Sequence, residues 1–169
     1  MARDCQADLL ARSGEASVIK SRVLRTWGDS ESGLNERLVG VINELEKVGN
    51  PTLAFLASGW EGIKVRLTAK ANTEDQAIEL LDTWDAKVRG QVEDLVFGVD
   101  AQNMEFVVLQ KLREKKLTLG VAESVTGGLV AGRLTAIAGA SDVFRGAIVS
   151  YDSEIKFDLL NVTNGPVVS

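Results

Sequence analysis

The chain has 169 residues, 45% of them hydrophobic and 25% charged, with a formal net charge of −5 at neutral pH. That is the composition of a globular protein of one ordinary or two small domains, and it excludes a disordered tail. With 0 histidines and 1 cysteine, it also excludes a Ser-His-Asp triad, a zinc site built on histidine and an internal disulfide.

Met1 to Ser13 mixes Arg3, Asp4, Asp8 and Arg12 with only the short run Leu9 to Ala11, so it lacks the apolar core of a secretory signal. No apolar stretch approaches membrane-spanning length, and no membrane association is expected. With Cys5 alone near the start, the expected compartment is a reducing cytoplasm. The acidic excess lies in residues 1 to 100, while residues 101 to 169 balance their charges, so nucleic acid is not an expected partner.

Ser17 to Trp27 (SVIKSRVLRTW) is rich in β-branched residues and predicts a strand with one solvated face, ended by Gly28 and Asp29. From Ser32, the positions Leu34, Leu38, Val41, Ile42, Leu45 and Val48 recur at helical spacing. Ser30 or Ser32 serves as N-cap and Gly49-Asn50-Pro51 as stop. Thr52 to Ala57 reads as a short strand and Ser58 to Gly62 as a turn. In Ile63 to Lys70, Ile63, Val65, Leu67 and Ala69 alternate with polar residues, completing a hairpin with one wet face.

Thr73 to Gln76 has capping-box form and opens a helix carrying Ile78, Leu81, Trp84, Val88, Val92 and Leu95. The first unit is therefore predicted as βαββα, with Phe97 to Asp100 breaking the pattern and a domain boundary near residue 100. A helix from about Gln102 to Lys116 follows, then Leu117 to Ala122 as a buried strand and Glu123 to Gly128 as a tight turn. Leu129 to Ile137 reads as a helix, Arg145 to Tyr151 as a strand and Asp152 to Leu160 as a last short helix. Strand, helix, strand in that order is the pattern of an α/β fold.

Glu123-Ser124-Val125-Thr126-Gly127-Gly128 joins a strand to a helix and offers two hydroxyls beside two glycines, whose amides are placed to face an anion. A plain helix cap with a permissive turn accounts for the same residues. The segment lacks the Gly-Lys-Ser/Thr ending of a Walker loop and the third glycine of a dinucleotide fingerprint. Without histidine, a serine nucleophile needs another base, and a lysine whose proton affinity is lowered by burial or a nearby cation can serve, with tyrosine as relay. Ser124, Tyr151 and Lys156 supply those parts, although a solvated Lys156 and an edge Tyr151 are the simpler local reading.

Val121 to Gly128 (VAESVTGG), Gly139-Ala140-Ser141, Phe144-Arg145-Gly146 and Tyr151 to Lys156 together resemble the C-terminal domain of CinA proteins, in register. Ser32 to Leu67 is similar to that family's middle domain. The resemblance implies an α/β chain in two parts. Residues 1 to 100 would be a small α+β, KH-like domain, and residues 101 to 169 the N-terminal part of an incomplete three-layer α/β amidase domain.

It also implies hydrolysis of the carboxamide of nicotinamide mononucleotide to nicotinate mononucleotide and ammonia, with Ser124 as nucleophile and Tyr151 and Lys156 as its activating partners. Glu123, Thr126, Gly127 and Gly128 would contact the nucleotide, with no metal and no cofactor. Val125 stands where the family commonly has cysteine, a thiol that a serine mechanism does not require. Relatives continue past Ser169 with segments that contribute to the site, so the chain is expected to be an incomplete piece with weak or absent activity.

Two other readings remain open. One is a nucleotide- or phosphate-binding module without chemistry. The other is an RNA-binding KH-like unit using Lys20, Arg22, Arg25, Lys64, Arg66 and Lys70 on one strand face, against which stands the acid within Gly59-Trp60-Glu61-Gly62. Trp27, Trp60 and Trp84 read as core or interface residues, and a homo-oligomer is expected.

Overall fold

Residues 17–57 and 59–163 are described by the computed structural model. Cys5, Ser58 and the Asn164-Gly165-Pro166 stretch lie outside them. The chain divides into two units, one ending at Asn103 and the other starting at Met104, and each is mixed α/β.

The first unit runs β1 (Val18–Thr26), α1 (Glu31–Val48), β2 (Thr52–Ala57), β3 (Ile63–Ala71), α2 (Glu74–Val92) and β4 (Val96–Val99), with a 3₁₀ turn at Gly59–Glu61. The strands form an antiparallel sheet in the order β2-β3-β1-β4. Ser30 caps α1 by accepting the Gly33 amide at 3.1 Å, and Gly49, at φ 76°, closes it by donating to the Leu45 carbonyl at 2.7 Å. Thr73 caps α2 through the Gln76 amide at 3.3 Å. Leu34, Leu38 and Leu45 of α1 and Leu81, Trp84, Val88 and Val92 of α2 bury their apolar stripes against Leu24, Val65, Leu67 and Ala69 of the sheet. The period-two alternation of β3 leaves its other face to Lys64, Arg66, Thr68 and Lys70.

The βαββα order is present and gains one further strand. Residues 96 to 99, overlapping the break read at Phe97 to Asp100, form a fourth strand in which Leu24 pairs with Val99 and Arg25 with Gly98, shifted by an irregularity beside Thr26. Four residues containing a glycine carry too little periodicity to announce a strand, and only the long-range pairing with β1 creates it. Asp100 ends it at φ 51°, where its amide donates to the Val23 carbonyl at 2.8 Å and its Oδ1 accepts the Val23 amide at 2.8 Å.

The six basic residues do not share a face. Lys20 and Arg22 lie on the side of Leu24 and pair with Glu74 (2.6 Å) and Asp82 (2.8 Å) of α2. Arg25 and Lys64 lie opposite and converge on Glu61, at 3.7 and 2.5 Å. The turn that resembles a nucleic-acid clamp therefore contributes a carboxylate that neutralises its own neighbours. Trp84 is buried, whereas Trp27 and Trp60 are exposed.

The second unit runs α3 (Met104–Glu114), β5 (Leu119–Glu123), α4 (Leu129–Thr135), β6 (Phe144–Val149) and α5 (Ser153–Leu160), with a 3₁₀ turn at Ala140–Asp142. β5 and β6 pair in parallel, with Glu123 opposite Val149. Leu109, Leu134, Ala140, Val143 and Phe144 form the core, flanked by Leu119 and Val121. β5, expected as a buried strand, buries one side only: Gly120 and Ala122 are exposed, and so is every residue of β6 after Phe144. Among the described residues the sheet has two strands, and α5 has no buried residue with which to cover its outer side.

Candidate functional site

The chemistry-bearing segment begins where β5 ends. Glu123 is buried, and its carboxylate accepts the amides of Val130 (3.0 Å) and Ala131 (2.8 Å) in the first turn of α4. Burial pushes this carboxyl up, but hydrogen bonds from the Ala131 amide, the Thr126 hydroxyl and the Val130 and Gly128 amides outweigh it. Together they hold the group below its ordinary value. A carboxylate at this point also meets the positive end of the helix.

The connecting turn closes on itself. The Gly127 amide donates to the Ser124 carbonyl and the Leu129 amide to the Thr126 carbonyl, both at 3.0 Å. Gly127 and Gly128 have φ of 59° and 96°, the left-handed region that glycine enters without strain. A Cβ on Gly128 would meet Val149 Cγ2 at 3.3 Å, so the absence of a side chain there lets α4 approach β6. The Gly127 amide, which the sequence left open to an anion, is engaged by the Ser124 carbonyl.

On the neighbouring strand, Ser150 is buried and donates twice to the Glu123 carbonyl, from its amide at 2.7 Å and from its hydroxyl at 3.3 Å. The parallel register thus sets Ser124 and Tyr151 one residue beyond a joined pair, at the carboxyl ends of adjacent strands. Ser124 is half-buried, Thr126 and Tyr151 are exposed, and Val125 is 88% exposed. Asp152 caps α5 through the Glu154 amide at 2.8 Å, and half-buried Lys156 lies on that helix. Among the described residues no hydrogen bond joins Ser124, Tyr151 and Lys156; Ser124 and Tyr151 follow adjacent strand ends, and Lys156 lies on the helix after β6.

Two ion pairs brace the scaffold. Arg133 of α4 pairs with the buried Glu105 of α3. Arg113 of α3 donates to the Gly139 carbonyl at 2.6 Å and to Asp142 at 3.3 Å, which fixes the turn leading into β6. Neither these residues nor Ser150 stood out as site residues in the sequence. Arg113 reads there as one of several cations at a helix end, and only the folded chain shows its partner.

Among the described residues no group of three or more His, Cys, Asp or Glu side chains is placed to hold a metal ion. No helix among them is long and apolar enough to cross a membrane. An open groove of about 680 Å³ lies in the first unit, lined by Ile19, Asn50, Thr68 and Lys70 among others, and it contains none of the motif residues.

Comparison with known proteins places these features in a family. Residues 101–167 match the CinA C-terminal domain and residues 21–98 the damage-inducible protein CinA KH domain. A CinA-like protein of Frankia casuarinae is 44% identical over 158 residues, which is 94% of this chain and 36% of that protein. A CinA-like protein of Dictyoglomus thermophilum is 38% identical over 150 residues, 89% of this chain and 36% of its own length. A crystal structure of the competence/damage inducible protein CihA from Agrobacterium tumefaciens matches with a TM-score of 0.35 and 38% identity, over 36% of each chain. This chain thus spans about a third of the length of the curated relatives it matches. With both domain matches in one sequence and the VAESVTGG turn at the end of β5, the chain belongs to the CinA family of competence/damage-inducible proteins.

Proposed function

We propose that the edge formed by Ser124, Tyr151 and Lys156 is the serine-based part of a nicotinamide-nucleotide amidase site, and that this chain alone turns over weakly. The observation that supports it most is the junction of Glu123 with Ser150. It sends Ser124 and Tyr151 off the same edge of a parallel sheet, the position at which α/β sheets bind ligands.

The reaction would run in two halves. Ser124 Oγ adds to the carboxamide carbon while its proton passes by way of Tyr151 to Lys156. Collapse of the adduct breaks the C–N bond, and the proton leaves with the nitrogen as ammonia. Water then attacks the nicotinoyl ester on Ser124, releasing nicotinate mononucleotide and restoring the hydroxyl.

Weak turnover follows from exposure. Tyr151 is 72% exposed, and β6 beyond Phe144 faces solvent, so water competes for every hydrogen bond that would align the three groups. The same openness favours a second reading, nucleotide binding without chemistry.

Incubation with nicotinamide mononucleotide, following ammonia, separates the two readings. Slow release abolished by Ser124→Ala and by Lys156→Ala supports the amidase. Saturable binding with no release, in this chain and in a version extended by the rest of a CinA C-terminal domain, supports the binding module.

A further inference from the structure

Three contacts meet at one residue. The Glu123 carboxylate holds the first turn of α4 through Val130 and Ala131, its carbonyl holds the end of β6 through both donors of Ser150, and its own peptide carries Ser124. Glu123 and Ser150 are the two buried polar residues of this edge, each followed directly by a side chain of the proposed reaction.

We infer that Glu123 and Ser150 are positioning residues that fix the separation of Ser124 and Tyr151, and that the substrate's anionic group is not held by the first turn of α4. The inference rests on the amidase reading for the identity of the reacting groups, and on the contacts alone for the rest.

An anion at a helix end needs free amides, and here those of Val130 and Ala131 already donate to the Glu123 carboxylate and that of Leu129 to the Thr126 carbonyl. A phosphate approaching that turn would have to displace Glu123, leaving a buried carboxylate without its donors. It would also meet that carboxylate's charge at close range. The same bonds make Glu123 a poor ligand for substrate and a good anchor for its neighbour.

Amide resonances of the isotopically labelled 169-residue chain test this directly. Titration with inorganic phosphate, and separately with nicotinamide mononucleotide, is expected to leave the Val130 and Ala131 amide shifts in place. Glu123→Gln and Ser150→Ala are each expected to move the Ser124 and Tyr151 resonances together, across the strand junction. Ser150→Ala leaves every donor to the Glu123 carboxylate intact, so it decides the matter even if Glu123→Gln does not fold.

Movement of the Val130 and Ala131 amides on adding phosphate to the unsubstituted chain overturns the inference. So do Ser124 and Tyr151 resonances that stay put in Ser150→Ala. In kinetics, Ser150→Ala is expected to lower kcat about tenfold to a hundredfold at constant KM; a raised KM at constant kcat contradicts a positioning role. Failure of both the unsubstituted chain and the extended version to release ammonia counts against the amidase reading and leaves the resonance outcomes to decide the positioning contacts.

Discussion

The Ser150 hydroxyl and amide both donate to the carbonyl of Glu123, 27 residues earlier, and close the parallel pair β5–β6 at the edge where the motif residues lie. The edge is therefore held by main-chain and buried polar bonds, while among the described residues no hydrogen bond joins the side chains proposed to react. Its stability and its chemistry are separately testable.

Acid is expected to loosen this edge through Glu123. Its carboxyl titrates below the ordinary value of 4.5 in the folded chain, so the unfolded chain binds the proton first. The stabilisation it gives is complete above the ordinary value and disappears as pH falls through the folded value. Denaturant midpoints of the chain and of Glu123→Gln, measured from pH 7 to pH 3, are expected to differ at neutral pH and to converge in acid. A difference that persists at the lowest pH contradicts the cap.

The two glycines of the turn are expected to respond differently to alanine. At Gly127 a Cβ meets nothing within 4 Å, so the cost is that of left-handed backbone, about 1–2 kcal/mol. At Gly128 the same backbone cost is joined by contact with Val149 Cγ2 at 3.3 Å, so Gly128→Ala should be the more damaging. Equal urea midpoints for the two variants would contradict the close approach of α4 to β6.

These two glycines also mark how far the sequence could be read. Apolar spacing made α1, α2 and the β2–β3 hairpin legible, because each buries a periodic stripe in one core. β4 was not, since its four residues become a strand only through pairing with β1. The motif marked the β5–α4 turn, but its local residues fit a helix cap and an anion cradle equally well. The bonds to Val130 and Ala131, which show where the carboxylate points, depend on a helix geometry that the sequence alone does not fix. Ser150 falls within the strand read over Arg145 to Tyr151, yet its role needs the register of β5 against β6.

At the end of β4, Asp100→Ala is expected to leave the Val23 amide to solvent, at a cost of about 0.5–1.5 kcal/mol. Asp100→Asn keeps an oxygen acceptor and tolerates the φ of 51°, so it should sit near the unsubstituted chain. Thermal unfolding of both variants checks this, and similar losses for Asn and Ala would rule out the hydrogen bond as the cause.

The two units have separate cores, and each should fail by its own large-to-small substitution. Leu38→Ala in α1 and Leu109→Ala in α3 remove side chains with 0% exposure, and each is expected to cost about 2–5 kcal/mol. Hydrogen exchange resolved by residue reports where the loss falls. Protection should drop around β1 and β3 for Leu38→Ala and around β5 and β6 for Leu109→Ala. The reverse pattern would contradict the assignment of these residues to their cores.

Ammonia release from nicotinamide mononucleotide tests the central claim most directly, measured for this chain, for a version extended by the rest of a CinA C-terminal domain, and for Ser124→Ala in each. The account predicts slow release by the chain, faster release by the extended version, and loss of both on removing the Ser124 hydroxyl. Release that survives Ser124→Ala in the extended version would contradict a serine mechanism at this edge.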